Sequence, residues 1–237
     1  MGERAAEDRK VEGSIPSRGI FMNEKNIIRE ISPADSFTIM NGVCGLLSIF
    51  FILEEETHIS MIFILLAVLA DGMDGVVARR YGGHLGRYMD EFSDIVSFLV
   101  APIIFSWSTY EMDFPFLFMA VSSFFLITGM LHLISYHIGR KDVFNGAPTP
   151  AAAIMIVAIS YLAFPFWILL FGMALLGIVV VSPILYPRIE KYFVVPAVAI
   201  IVLAMSGYRE TVFLLLISTL IYLVGGPFYI RGSNRNL

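Results

Sequence analysis

Apolar residues gather into eight stretches along the chain, at about 36–54, 59–79, 86–107, 113–137, 150–164, 166–185, 192–206 and 211–230, with short polar connections between them. A helix needs about 20 residues to cross a hydrocarbon core, and most of these runs approach that length. The runs 150–164 and 192–206 are shorter. In lipid, helices satisfy their backbone polar groups internally. The pattern therefore predicts an all-α, polytopic integral membrane protein with about eight transmembrane helices. It divides the chain into a polar N-terminal segment, 1–35, a transmembrane domain, 36–230, and a tail, 231–237. No connection is long enough for a separate extramembrane domain.

Composition agrees. Of 237 residues, 57% are hydrophobic and only 15% charged, with a mean hydropathy of +0.79. A soluble domain carries roughly a quarter of its residues charged, so a water-soluble globule is excluded. The net charge of −4 offers no basic footprint for nucleic acid. A single cysteine, Cys44, rules out an internal disulfide and any cysteine-built metal cluster within one chain. The N-terminal segment lacks the early apolar run of a signal peptide. Met22, followed by Asn23, Glu24 and Lys25, resembles a second start, so residues 1–21 are expected to be dispensable.

Basic residues set the expected orientation, because cytoplasmic connections collect Lys and Arg. With eight spans and a cytoplasmic N-terminus, Arg79, Arg80, Arg87, Arg140, Lys141, Arg188, Lys191, Arg231 and Arg235 fall inside with the basic residues of the N-terminal segment. Only Arg209 falls outside. Removing one span from the middle would scramble this bias, so it supports both the count and cytoplasmic termini.

Ionisable groups at the edge of apolar spans are costly and point to function. Residues 71–94 read DGMDGVVARRYGGHLGRYMDEFSD. Asp71 and Asp74 sit near the cytoplasmic end of the second span, Asp90 and Asp94 near the cytoplasmic start of the third. Spacings of three and four put each pair on one helix face. A short turn containing Gly82 and Gly83 makes the two helices antiparallel, so the four carboxylates are expected to converge. Clustered hard oxygens repel one another unless protonated or bound to cations, and suit Mg²⁺, Mn²⁺ or Ca²⁺. Gly75 and Ala78 leave room for a close approach along this face. Arg79 offers a guanidinium suited to phosphate.

Asp71, Asp74, Gly75, Ala78, Arg79, Gly86, Asp90 and Asp94, in that order and spacing, resemble the signature of the CDP-alcohol phosphotransferases, integral membrane enzymes of phospholipid synthesis. FNGAPTPAAA at 144–153, with Asn41, Gly42 and Gly45 in the first span, is similar to the phosphatidylserine and archaetidylserine synthase branch. The resemblance implies transfer of a lipid phosphatidyl group from a CDP-activated lipid to the hydroxyl of L-serine at the cytoplasmic face, with release of CMP. It implies that Asp71, Asp74, Asp90 and Asp94 ligate Mg²⁺ or Mn²⁺, with two ions expected and Ca²⁺ as an alternative, and that Asp94 also serves as general base. Asn41, Asp71, Gly75, Ala78, Arg79 and Gly86 would contact the CDP-lipid. Arg140, Lys141, Gly146, Pro148, Thr149 and Pro150 are candidates for the acceptor. Membrane lipids and a second copy in a homodimer are the expected partners.

Other readings stay open on the residues alone. Inositol phosphate or glycerol phosphate could replace serine, with Arg140, Lys141, Arg188 and Lys191 available to their phosphates. Intramembrane carboxylates also serve cation-coupled transporters, although no second copy of the motif lies in 100–237. His132 reads as a buried hydrogen-bonding residue rather than a ligand. Pro148 and Pro150 suit a helix start whatever else they do.

Overall fold

Ser32 and Asp35 begin the first helix by capping one another. The Ser32 hydroxyl accepts from the Asp35 amide at 3.2 Å, and the Asp35 carboxylate accepts from the Ser32 amide at 2.8 Å. Pro33, whose missing N–H costs nothing in a first turn, sits between them. The computed structural model describes residues 32–81, 86–111, 113–135, 144–187 and 191–233, without the side chains at 34, 74–76, 78–81, 86–88, 144–145, 191–192 and 230–233.

Each of the eight apolar stretches contains a helix. Helix α1 is Pro33–Leu53 and α2 is Thr57–Tyr81; the third stretch runs unbroken as α3 (Gly86–Asp94), a π-helical segment (Ile95–Val100) and α4 (Ala101–Thr109). There follow α5 (Pro115–Ser135), α6 (Thr149–Tyr161), α7 (Phe166–Val180), α8 (Lys191–Ala204) and α9 (Arg209–Ser233). Among the described residues, four segments are long and apolar enough to cross a membrane: Asp35–Leu53, Met89–Thr109, Pro115–Ser135 and Arg209–Tyr229. The other four apolar helical segments are shorter, at Thr57–Met73, Thr149–Tyr161, Phe166–Val180 and Phe193–Ala204.

Helix α1 shows why the chain belongs in lipid. Ile39, Val43, Leu46, Phe50 and Leu53 recur every three or four residues on an exposed stripe, while Thr38, Asn41, Cys44, Ser48 and Ile52 face inward and are buried. Polar groups inside and large apolar groups outside reverse the order a soluble helix needs. The molecule is an integral membrane protein.

Helix α6 explains one short run. Its residues from Ala151 to Ser160 are all buried, as expected of a helix that is apolar all round. Phe98, Ala153, Cys44 and Ala67 pack together, and the Ser106 and Ser160 hydroxyls lie 2.8 Å apart. Matching 98 with 153 and 106 with 160 makes α6 parallel to α4 along their contact.

Four connections meet at one end of the helices. His58 Nε2 donates to the Met205 carbonyl at 2.9 Å, the Tyr161 hydroxyl to the Gly207 carbonyl at 3.0 Å, and the Tyr110 hydroxyl to the Phe164 carbonyl at 2.7 Å. Arg209 reaches the Leu162 carbonyl at 3.3 Å. The turns after α1, α4, α6 and α8 are thus joined, and Asp71, Asp90 and Asp94 lie toward the other ends of their helices.

The all-α expectation needs one correction. Phe144–Asn145 pairs antiparallel with Leu185–Tyr186. Entry to α6 and exit from α7 run side by side, and two residues of each pair with the other's backbone.

Candidate active site

The acidic site is built where α1 crosses α3. A Cβ on Gly42 would stand 2.9 Å from Ser93 Oγ, and one on Gly45 would stand 2.8 Å from Ser97 Cα. Only glycine lets the two backbones come this close. At that crossing Asn41 Nδ2 donates to Asp94 Oδ1 at 2.8 Å, and Ser97 Oγ donates to the Asn41 carbonyl at 2.9 Å. Asn41 is fully buried, and Asp94 is only 7% exposed.

Asp71, Asp90 and Asp94 each present a carboxylate oxygen, all within 4.8 Å of one another. Asp71 and Asp90 are half-buried. The expected convergence of α2 and α3 is therefore observed for these three residues. Asp74 belongs to α2, but its side chain lies outside the described residues, as do those of Gly75, Ala78 and Arg79; Gly86 is the first residue of α3. The turn with Gly82 and Gly83 is outside as well, together with Arg140 and Lys141. Three hard oxygen donors at this spacing fit a divalent cation, which relieves the repulsion among carboxylates that burial intensifies.

One helical turn relates the apolar layer of Cys44, Ala67, Phe98 and Ala153 to this site. Stepping one turn from each along its own helix reaches Asn41, Asp71, Asp94 and Thr149. The first turn of α6 therefore begins at the level of the carboxylates. Pro148 caps α6, and Thr149 and Pro150 open it; Thr149 is buried. Gly146 adopts φ +89°, and a Cβ there would collide with the Val180 carbonyl oxygen. Its place in the chain is a backbone requirement, whatever else it does. His132 is buried beside it, in line with the expected buried role.

Residues 32–184 match the family model described as CDP-alcohol phosphatidyltransferase. The chain belongs to that family. It is 33% identical over 177 residues to the archaetidylserine synthase of Methanothermobacter thermautotrophicus, covering 72% of this chain and 76% of that protein. It is also 33% identical over 159 residues to the CDP-diacylglycerol–serine O-phosphatidyltransferase of Bacillus subtilis, covering 65% and 89%. With the enzyme of the same description from Methanocaldococcus jannaschii it shares 30% over 212 residues, covering 88% and 99%. This family member is thus an enzyme of the CDP-alcohol phosphotransferase type, and the transporter reading is set aside.

Two features of the site were not read from the sequence. The hydrogen bond from Asn41 to Asp94 had a signal in the two small-residue patterns, NGVCG at 41–45 and SDIVS at 93–97, which fit one another as neighbouring helix faces. The π-helical segment directly after Asp94 had none, because Ile95–Val100 is as apolar as any α-helical run. Each π turn holds one extra residue and turns the following side chains about the axis.

Proposed function

We propose that this enzyme transfers the phosphatidyl or archaetidyl group of a CDP-activated lipid to the hydroxyl of L-serine, releasing CMP, as a step of phospholipid biosynthesis. The observation that carries the reading is the trio of carboxylate oxygens from Asp71, Asp90 and Asp94, in a chain whose similar relatives are named as serine transferases.

Asp71, Asp74, Asp90 and Asp94 hold Mg²⁺ or Mn²⁺ in this reading, as a pair of ions, with Ca²⁺ a possible occupant. Such cations supply charge neutralisation for the phosphates and for the departing CMP. Gly75 and Ala78 leave space for the nucleotide, Arg79 pairs with a phosphate oxygen, and Gly86 lets the chain pass close to it. The serine Oγ attacks the lipid-side phosphorus. As the new P–O bond forms, the bond to CMP breaks and its electron pair leaves with CMP. Asp94 takes the hydroxyl proton on the oxygen that Asn41 does not occupy.

Gly146, Pro148, Thr149 and Pro150, with Arg140 and Lys141, shape the acceptor site. The start of α6 at the level of the acids supports this, since its dipole favours the serine carboxylate there. All eight helical stretches cross the membrane, with both termini and the acids on the cytoplasmic side. The distribution of basic residues, with Arg209 alone at the opposite end, supports that topology. The N-terminal 35 residues then form a cytoplasmic segment ahead of the transmembrane catalytic domain, and the enzyme works as a homodimer.

The test is release of CMP from one CDP-lipid in detergent, with Mg²⁺ or Mn²⁺ and a panel of acceptors. Serine is expected to be the active alcohol. If serine is inert and inositol phosphate or glycerol phosphate is active, the acceptor assignment fails and the reaction class stands. Release that continues in chelator would remove the carboxylates from their proposed role.

A further inference from the structure

We infer that Asn41 is a positioning residue: its carboxamide fixes the plane of the Asp94 carboxylate and thereby aims the oxygen that meets the reacting hydroxyl. The inference rests on the reaction proposed above and gives Asn41 this part in place of the CDP-lipid contact that the resemblance implies.

The terminal torsion of an aspartate is broad, so a carboxylate does not hold its own plane. Something outside it must. Asn41 Nδ2 donates to Asp94 Oδ1 at 2.8 Å between two buried side chains, which assigns one oxygen and fixes the direction of the other. The amide is itself held. Ser97 ties down the Asn41 backbone carbonyl, and Gly42 and Gly45 set α1 against Ser93 and Ser97 with no room for a Cβ.

The orientation of the amide also has a cost. Asn41 Oδ1 is buried and meets no hydrogen-bond donor among the described residues. A lone buried acceptor is a cost to the fold. Turning the amide over would set its oxygen against an ionised carboxylate, so the NH₂ must face Asp94. A side chain retained for packing alone would do better as leucine. An amide that leaves one end unsatisfied in order to present the other is the pattern of a group kept for function at some expense in stability.

The experiment compares the full-length wild-type enzyme with Asn41→Ala and Asn41→Leu, measuring kcat, KM for CDP-lipid and for serine, direct binding of CDP-lipid in Mn²⁺, and the thermal midpoint in detergent. Leucine keeps the heavy-atom count and branching of asparagine, so it decides the matter if the alanine variant does not accumulate. The expected result is a kcat lowered about 10- to 100-fold, the usual range for losing an orienting partner of a ligating side chain, with CDP-lipid affinity within about threefold of wild type. Ser97→Ala, which frees the Asn41 backbone without touching the amide, should lower kcat by a smaller factor at the same KM. Loss of CDP-lipid affinity in proportion to kcat would place Asn41 on the substrate and overturn the inference. So would unchanged kcat. A wild-type enzyme that releases no CMP with any alcohol would instead sink the reaction on which the inference depends.

Discussion

The two ends of the helix assembly solve opposite problems. At the end bearing the turns after α1, α4, α6 and α8, exposed backbone carbonyls are capped one by one by Tyr110, Tyr161, His58 and Arg209. Every one of these bonds joins a donor to an acceptor and lowers the energy of the fold. At the other end, three carboxylates approach within 4.8 Å, an amide oxygen is buried without a partner among the described residues, and two glycines give up side-chain contacts to let α1 and α3 touch. That end is costly to build without a cation. The contrast separates a region selected for holding together from one selected for chemistry, because only the second tolerates uncompensated charge.

Substitutions can break this contrast, beginning with the largest effect. Asp94→Asn keeps the shape and removes the base. Turnover should fall by about 10²- to 10⁴-fold while CDP-lipid binding largely persists; unchanged CMP release would remove Asp94 from the role. Asp71→Asn should act through the cation instead, lowering activity about 10- to 100-fold and raising the Mn²⁺ concentration needed for half-maximal rate. A metal titration tells the two apart, because saturating Mn²⁺ should restore much of the rate of Asp71→Asn and little of that of Asp94→Asn.

The crossing that carries the site is next. Gly45→Ala places a Cβ 2.8 Å from backbone of the π-helical segment, which cannot swing away as a side-chain tip could. Overpacking of this kind costs about 1–3 kcal/mol, and kcat should drop along with the thermal midpoint. If activity survived the loss of stability, α1 would be a support for the fold and not for the site.

The smallest effect belongs to the opposite end. Tyr110→Phe deletes the bond to the Phe164 carbonyl and should cost about 1 kcal/mol with no change in kcat. Burial pushes the Tyr110 hydroxyl up to about 12, so it stays protonated and donating well past neutrality. Its stabilising share is whole below the ordinary tyrosine value and is lost as pH rises through the folded value. A pH series of thermal midpoints should show wild type and Tyr110→Phe converging only under strongly alkaline conditions.

Much of this was legible in the sequence. Runs of apolar residues locate helices because the hydrocarbon core admits hardly any other backbone, so length and composition suffice. Spacings of three and four between Asp71 and Asp74, and between Asp90 and Asp94, needed only the helical period. The family signature followed from the same residues. Less visible was which short helix lies inside: Thr149–Tyr161 reads like a defective span until its neighbours are seen to enclose it.

The amino-acid order by itself thus determined the helices, the membrane habitat and the identity of the acidic residues, because each depends on local pattern and on the solvent. Tertiary structure alone decided that Asn41 meets Asp94 across 53 positions of sequence, that a π-helical stretch follows Asp94, and that α6 starts level with the carboxylates. Those facts depend on how close two helix backbones can come and at what rotation, and such distances are set by side chains from both partners at once.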